Sequence, residues 1–182
     1  MSKHKGFSAL LLGVLLLIVS GCGHVMSSQI RQAAKQDLLF SAVFQNPNAY
    51  LGQTVIWGGV IIETINRQEG TEIKILETPL TSYGLPEDRE HSEGRFIVKA
   101  SHYLDPEIYQ KGKKITIGGE VTGQEVQPLG ETQYAYPVIS AKELHLWREE
   151  EMRYWEPYPG YFWFPWYYDP WYYPYWYPYY RH

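Results

Sequence analysis

The sequence predicts a mainly β fold, with one small barrel as the folded core of the chain. Two segments with strand character, "YLGQTVIWGGVI" and "YQKGKKITIGGEV", repeat the same spacing of glycine and aliphatic residues. Each carries a glycine pair, 58–59 in the first and 118–119 in the second. Glycine within a strand usually marks a bend, a bulge or a close approach of two backbones. A small closed barrel needs such corners in its long strands, so both segments are expected in one closed sheet.

A short helix is expected before the first strand. Apolar residues at positions 39, 40, 43 and 44 form one stripe at helical spacing, and Asp37 stands where an N-cap is favoured. The helix should end at Asn46-Pro47, because the residue before a proline avoids the helical region. The strand pattern begins at Tyr50.

The remaining strands follow from alternation and from turn residues. Polar, turn-rich residues 82–94 separate the second strand from the third, and one helical turn at 104–109 precedes the fourth. Six strands with a short helix between the third and fourth indicate an antiparallel barrel of the oligonucleotide/oligosaccharide-binding (OB) type. The strands after the first are expected at 71–78, 95–101, 115–127, 132–140 and 142–148.

The N-terminus has the pattern of an export signal with a lipid attachment site. Lys3 and Lys5 precede an uncharged stretch, 6–19, that is shorter than the roughly 20 residues of a membrane-spanning helix. The stretch leads into "VSGC", which resembles the lipobox of bacterial lipoproteins, where the cysteine is acylated and the signal is cut just before it. We therefore predict a signal peptide at 1–21. The mature chain would begin at Cys22, the single cysteine, carrying diacylglycerol and an N-acyl chain.

Lipidation would anchor the protein to a membrane without a span, since two or three acyl chains hold far more firmly than one. Gly23 stands where an Asp commonly retains lipoproteins in the inner membrane, so the outer membrane of a Gram-negative bacterium is the expected destination. Residues 22–35 are interpreted as a lipidated tether that leads away from the bilayer. The competing interpretation is a chance cysteine behind an uncleaved anchor.

Composition argues against several function classes. The chain has 16 Lys and Arg against 20 Asp and Glu, and an acidic protein without clustered basic residues is a poor partner for nucleic acid. A single cysteine leaves no internal disulfide, so burial alone must hold the core. The histidines at 91, 102 and 145 lack zinc-ligand spacing, and no serine lies in a Gly-x-Ser-x-Gly setting. Paired carboxylates occur only in charged runs such as 149–151, so no catalytic, metal or cofactor site is expected.

Four stretches carry a family resemblance: "VSGC", "NPNAYLGQTVIWGGVI", "GRFIVKASHYLDPEIYQKGKKITIGGEVTG" and "YPVISAKELHLW". Together they resemble the Slp (starvation-inducible) family of outer-membrane lipoproteins of Gram-negative bacteria, over residues 10–148. The resemblance implies an outer-membrane lipoprotein linked to starvation or stress, with a Slp-like barrel domain at 36–148. The family has no catalytic residues to transfer, so Cys22 is the one site residue that the resemblance supplies.

Two classes of function remain open. The first is a non-catalytic envelope protein with a structural or interaction role, attached to outer-membrane lipid and paired with peptidoglycan or envelope proteins. The alternative is a small-ligand or glycan-binding module that uses the aromatic tail and the open face of the barrel, where Trp57 and Tyr103 would stack on a sugar. For Trp57 core packing is the competing interpretation, because this residue lies in a β-branched strand.

A charged linker and an aromatic tail, 149–182, follow the region of family resemblance. Eighteen of the 29 residues from 154 to 182 are aromatic and six are proline. Proline at this density prevents a lasting helix or central strand, and Tyr and Trp prefer the membrane–water interface. The tail is expected either to be disordered or to lie on the bilayer or against glycan, with Trp166, Trp171 and Trp176 among its contacts.

Overall fold

A computed structural model of the chain describes residues 24–35 and 38–155. In this part of the chain five strands form a closed barrel in the order β1-β2-β3-β5-β4. The strands are β1 (Thr54–Arg67), β2 (Gly70–Thr78), β3 (Arg95–Ala100), β4 (Lys114–Leu129) and β5 (Thr132–Leu146). Three short helices accompany them: α1 (Ser28–Ala33), α2 (Phe40–Gln45) and α3 (Glu149–Trp155).

The predicted fold class, a small OB-like β barrel, is confirmed. Four of the five strand pairings are antiparallel, and the barrel closes through a parallel pairing of β3 with β5, in which Ile97 lies opposite Val138. The expected all-antiparallel sheet therefore differs at this one seam. A closed ring of five strands cannot alternate in direction all the way round, so one pairing must be parallel.

The strand count is five because β5 is continuous where the sequence predicted two strands. The register of β4 and β5 shifts between Gly118 and Gly119, which leaves Lys142 as an extra residue in β5. A bulge reverses the alternation of inward and outward side chains along a strand. This reversal at 140–142 gave one strand the sequence pattern of two.

Helix α2 closes one end of the barrel, and the predicted helix in this region is confirmed. Phe40 and Val43 are buried, and the Phe40 ring lies 5.2 Å from the Trp57 ring in an edge-to-face contact. The helix ends at Asn46, as Pro47 requires. Leu39, which the predicted stripe included, precedes the helix and is 66% exposed. The interior also contains Val55, Ile61, Ile73, Ile75, Phe96, Val98, Ile115, Ile117, Val121 and Ile139.

The second glycine of each pair lies where two strands approach closely, as the sequence predicted. A Cβ atom on Gly59 would lie 1.9 Å from the carbonyl oxygen of Leu76, and one on Gly119 would lie 2.3 Å from that of Ser140. Both distances are far below van der Waals contact. The backbone of the neighbouring strand occupies the space that a side chain would need.

A second apolar layer covers the outside of β1 and β4. This outer layer consists of residues 24–35, the loop 79–87 and Trp147, and its buried members include Met26 and Leu85. A Cβ on Gly58 would lie 2.5 Å from Leu80 Cδ2. Residues 24–35 thus pack on the barrel, and do not lead away from it as the predicted tether would.

Candidate functional site

The outer layer brings the two ends of the described chain to one side of the barrel. A buried chain of hydrogen bonds joins them. Trp147 Nε1 donates to Thr116 Oγ1 over 2.9 Å, and this hydroxyl donates to the carbonyl oxygen of Gly84 over 2.6 Å. The side chains of His24 and Val25 lie against Gly84. Gly84 therefore contacts the segment that follows Cys22 directly, and it is linked to Trp147 through the hydroxyl of Thr116.

The chain leaves the outer layer through α3, whose first turn is fixed by polar contacts. Arg148 Nε donates to Glu151 Oε1 over 2.9 Å, and Glu151 Oε2 lies 3.3 Å from His145 Nε2. The hydrogen bond from Arg148 lowers the pKa of the Glu151 carboxyl. The His145 ring packs edge-on against Trp147 at 4.7 Å. These contacts hold the first turn of α3 next to the outer layer.

A polar cleft of about 430 Å³ lies on another part of the surface, at the turn between β1 and β2. Its two cations already have acidic partners: Arg67 Nε lies 3.7 Å from Glu72 Oε2, and Lys99 contacts Glu125. This is the strand face and loop that OB folds use for oligonucleotides and oligosaccharides. The lining consists of Arg67, Glu69, Gly70, Thr71, Glu72, Lys99, Ala100, Ser101 and Ser140, with no aromatic side chain to stack on a sugar.

The structure separates the predicted ligand contacts. Trp57 is only 6% exposed and lies inside the barrel between Phe40 and Phe96, whose ring is 5.5 Å away. Its use as a stacking residue on the open face is therefore corrected: the burial that completes the core removes it from solvent. Tyr103 is 68% exposed and follows the strand that ends at the cleft. Cys22, Trp166, Trp171 and Trp176 lie outside the described residues.

One buried carboxyl has a strongly shifted pKa. Glu77 follows Ile73 and Ile75 on the inward side of β2, and its Oε2 accepts a hydrogen bond from the backbone N–H of Glu93 over 3.1 Å. Burial raises its pKa to about 7, against the lowering effect of that hydrogen bond. A carboxyl at the barrel rim is therefore near half-protonated at neutral pH.

The described residues contain neither a metal-binding cluster nor a membrane-spanning helix. No group of three or more His, Cys, Asp or Glu side chains within 24–35 and 38–155 is placed to hold a metal ion. His91 pairs with Glu87 at 3.5 Å, and both side chains are exposed. Within the same residues no helix is long and apolar enough to cross a bilayer.

Sequence reasoning missed the outer layer, although a signal for it exists. Met26 and Ile30 are four residues apart, the spacing of one helix face, and both are buried against the barrel. Leu80 and Leu85 are apolar, but they belong to a region whose acidic residues indicate a solvent-exposed loop. These four positions carry too little periodicity to predict a layer from pattern alone.

Comparison with known proteins gives one family match. The model of the family described as the outer membrane lipoprotein Slp family matches residues 19–180. The match extends through the aromatic tail, beyond the sequence resemblance, which ended at residue 148.

Individual relatives agree with that match. The chain is 30% identical over 158 residues to the lipoprotein YeaY of Escherichia coli K12, covering 85% of this chain and 80% of YeaY. It is 29% identical over 113 residues to the outer membrane protein Slp of the same organism, covering 62% of this chain and 60% of Slp. A solved mitochondrial single-stranded DNA-binding protein of S. cerevisiae, Rim1, covers 52% of this chain and 94% of its own at 12% identity. Its TM-score of 0.31 carries no argument about fold or ligand.

Proposed function

This chain belongs to the outer membrane lipoprotein Slp family, and from that premise we propose that it is a non-catalytic envelope protein held against the bilayer by lipid on Cys22. Its location is the outer membrane of a Gram-negative bacterium. The observation that carries the proposal is the outer layer, where the segment after Cys22 and the segment before the tail pack on the same side of the barrel.

Acyl chains on Cys22 would hold the barrel close to the bilayer. His24 is the second residue after Cys22, and two extended residues span about 7 Å. From His24 onward the segment is fixed to the barrel: Met26 is buried, Ser27 Oγ caps α1 by accepting from the N–H of Ile30, and the N–H of Ser27 donates to Glu143. No long tether separates the lipid from the fold, so the outer layer would face the membrane surface.

The tail would provide a second attachment from the same side. It begins directly after α3, and α3 begins two residues after Trp147. Tyr and Trp gain most at the membrane–water interface, where the ring is buried and the hydroxyl or indole N–H stays hydrated. A tail that starts at the membrane-facing side would reach that interface without crossing the barrel.

The lipid attachment is tested with Cys22→Ala. We expect wild-type protein to carry acyl chains on an N-terminal Cys22 and to fractionate with outer membranes, whereas Cys22→Ala leaves an unprocessed precursor. Mass spectrometry of the N-terminal peptide decides this point. Gly23→Asp is the matched control, because it keeps the acylated cysteine and should divert the protein to the inner membrane. Recovery of an unmodified Cys22 peptide from wild type would end the proposal.

The role of the tail is tested in protein that lacks the acylated Cys22. Residues 23–182 are compared with residues 23–155. We expect the longer protein to sediment with lipid vesicles or with peptidoglycan and the shorter one to remain in solution. A variant with Trp166, Trp171 and Trp176 changed to Ser keeps the length and prolines of the tail, and should bind more weakly than wild type. Equal sedimentation of all three proteins would leave Cys22 as the sole attachment.

A second candidate is binding of a small ligand or glycan at the polar cleft, favoured by its position on the binding face of the OB fold. Calorimetric titration with cell-wall fragments tests it. Saturable binding that Lys99→Gln weakens would support this function. The starvation link implied by the family resemblance is tested separately, by the amount of protein in growing and in stationary cells.

A further inference from the structure

A cavity of about 230 Å³ lies between the N-terminal segment and the loop 79–87. Three nitrogen-bearing side chains form one part of its lining, and apolar side chains form the other. The first group is His24, Arg31 and Lys35, and the second is Ala34, Leu38, Ile56 and Leu80.

Arg31 is the central cation of this cavity. Its Nε atom is buried and has no hydrogen-bond partner among the described residues. The same side chain also lines a second cavity of about 320 Å³, next to Ser28 and Gln32. A buried guanidinium N–H without an acceptor is costly, and an incoming anion would supply that acceptor.

His24 adds a hydrogen-bond donor. Its Nδ1 accepts a hydrogen bond from the backbone N–H of Met26 over 3.0 Å, so in the neutral ring the proton sits on Nε2. Burial, and then the charge of Arg31, lower the pKa of His24, which keeps the ring neutral at pH 7. Glu143 opposes this effect, and both of its carboxylate oxygens accept from the N–H of Ser27. Two cations therefore face the cavity with one engaged carboxylate beside them.

We propose that this cavity binds the phosphate group of an anionic amphiphile, with Arg31 and Lys35 on the phosphate oxygens and the apolar wall against the start of the acyl or glycerol part. A free inorganic anion would use the cations and leave the wall of Leu38, Ile56 and Leu80 in water. The source of the ligand rests on the proposed function, since lipid on Cys22 would place the cavity at the headgroup level of the bilayer.

The test uses the mature lipoprotein purified in a neutral detergent and three probes in calorimetric titration: dihexanoyl-phosphatidylglycerol, dihexanoyl-phosphatidylcholine and inorganic phosphate. The two lipids carry the same short acyl chains, so a difference between them reports the headgroup and not the acyl chains. We expect saturable binding of the phosphatidylglycerol, at least about tenfold tighter than either other probe. Equal binding of the two lipids would overturn the proposal. Binding of inorganic phosphate as tight as that of the lipid would assign the site to free phosphate and overturn the lipid part.

Variants locate the site. Arg31→Gln should weaken phosphatidylglycerol binding about tenfold and Lys35→Gln about threefold, and Arg31→Lys should restore part of the loss. Lys35 is exposed, so its change leaves the fold intact even if Arg31→Gln lowers the melting temperature. The matched control is Lys111→Gln, which removes the same charge from an exposed residue outside the cavity. If Lys111→Gln weakens binding as much, the attraction is general and the site is refuted.

Mass spectrometry of the same preparation separates this proposal from the proposed function. If Cys22 is acylated but the protein does not bind phosphatidylglycerol selectively, only the phosphate site is refuted. Selective binding by protein with an unmodified Cys22 refutes the lipid attachment and supports the site.

Discussion

The barrel interior is closed by its own strands, whereas the outer layer is assembled from segments that lie far apart in the sequence. Interior residues such as Ile75 in β2 and Ile117 in β4 come from the strands of the barrel itself and are fully buried. The outer layer combines residues 24–35, the loop 79–87 and Trp147, with a polar chain through Thr116 between them. Damage to the interior should therefore unfold the protein, whereas damage to the outer layer should release segments from a barrel that persists.

The two glycine pairs lie where the barrel and the outer layer meet, and they show how these two regions are joined. The second glycines, Gly59 and Gly119, let neighbouring strands approach, while the first glycines receive the outer layer. A Cβ on Gly118 would lie 2.4 Å from Ile30 Cγ2, just as one on Gly58 would meet Leu80. The two glycine pairs that repeat in the sequence therefore have the same two roles in the fold: the first glycine contacts the outer layer and the second allows close strand pairing.

The largest effect is expected from Gly59→Ala. The new Cβ would lie 1.9 Å from a backbone carbonyl oxygen that cannot rotate away, so the strands must separate. We expect destabilisation of more than about 4 kcal/mol, the range of severe core changes, measured by urea denaturation followed by circular dichroism. The control is Gly123→Ala, where nothing lies within 4 Å and only the φ of +139° opposes alanine. Similar stability of the two variants would mean that β1 and β2 are not tightly joined at Gly59.

Protonation of Glu77 should give the barrel interior a pH dependence of its own. Its folded pKa of about 7 lies above the usual 4.5, so the folded state holds this proton more tightly than the unfolded chain does. Stability should then fall as pH rises from about 4.5 to about 7 and level off above that range. With allowance for solvent screening at the rim, the fall is about 2 kcal/mol.

Glu77→Gln is the variant that isolates this effect. It retains an acceptor for the N–H of Glu93, which lies 3.1 Å from Glu77 Oε2, and it carries no charge at any pH. Denaturation at pH 5 and pH 8 should show a smaller difference in the variant than in wild type. Glu63→Gln, on a half-exposed carboxylate of β1, controls for general charge effects. An unchanged pH dependence in Glu77→Gln would assign the dependence to other groups.

Gly118→Ala should loosen the outer layer at a cost of about 1 to 2 kcal/mol, as in other overpacked sites. The added Cβ meets the Cγ2 methyl of Ile30, a side chain of α1 and not the backbone of a paired strand, so α1 can move while β4 stays paired. Trypsin should then cut at Arg31 faster than in wild type, with little change in the β signal of circular dichroism. Adding Ile30→Ala removes the clash, and the double variant should lose less stability than the sum of the single variants. Strict additivity would show that Ile30 does not pack on Gly118.

The barrel was more predictable than the outer layer for a physical reason. Strand alternation and the glycine pairs are local signals, and they located the strands and the helix that ends at Asn46. The outer layer depends on contacts between distant residues, such as Ile30 with Gly118 and Trp147 with Thr116, which leave no periodic pattern. Trp57 shows the same limit, because only the fold decides between burial with Phe96 and exposure on a binding face.

The smallest effect is expected from Thr116→Val, which keeps the shape of the side chain and removes its hydroxyl. Trp147 Nε1 then lacks an acceptor and the carbonyl oxygen of Gly84 lacks a donor, in a site where Thr116 and Trp147 are both buried. The loss in free energy of unfolding should be about 1 kcal/mol, since water can hydrogen-bond to part of the unpaired groups once the loop moves. Thr116→Ser keeps the hydroxyl and serves as the control.

The measurement that locates the effect of Thr116→Val is hydrogen exchange in the loop 79–87. The N–H of Gly84 donates to the carbonyl oxygen of Thr81, and the N–H of Leu85 donates to the hydroxyl of Thr81. Faster exchange there, with slow exchange preserved at Ile75, would show that this polar chain holds the loop on a barrel that stays closed. Equal acceleration at both places would mean that the outer layer and the interior unfold as one unit.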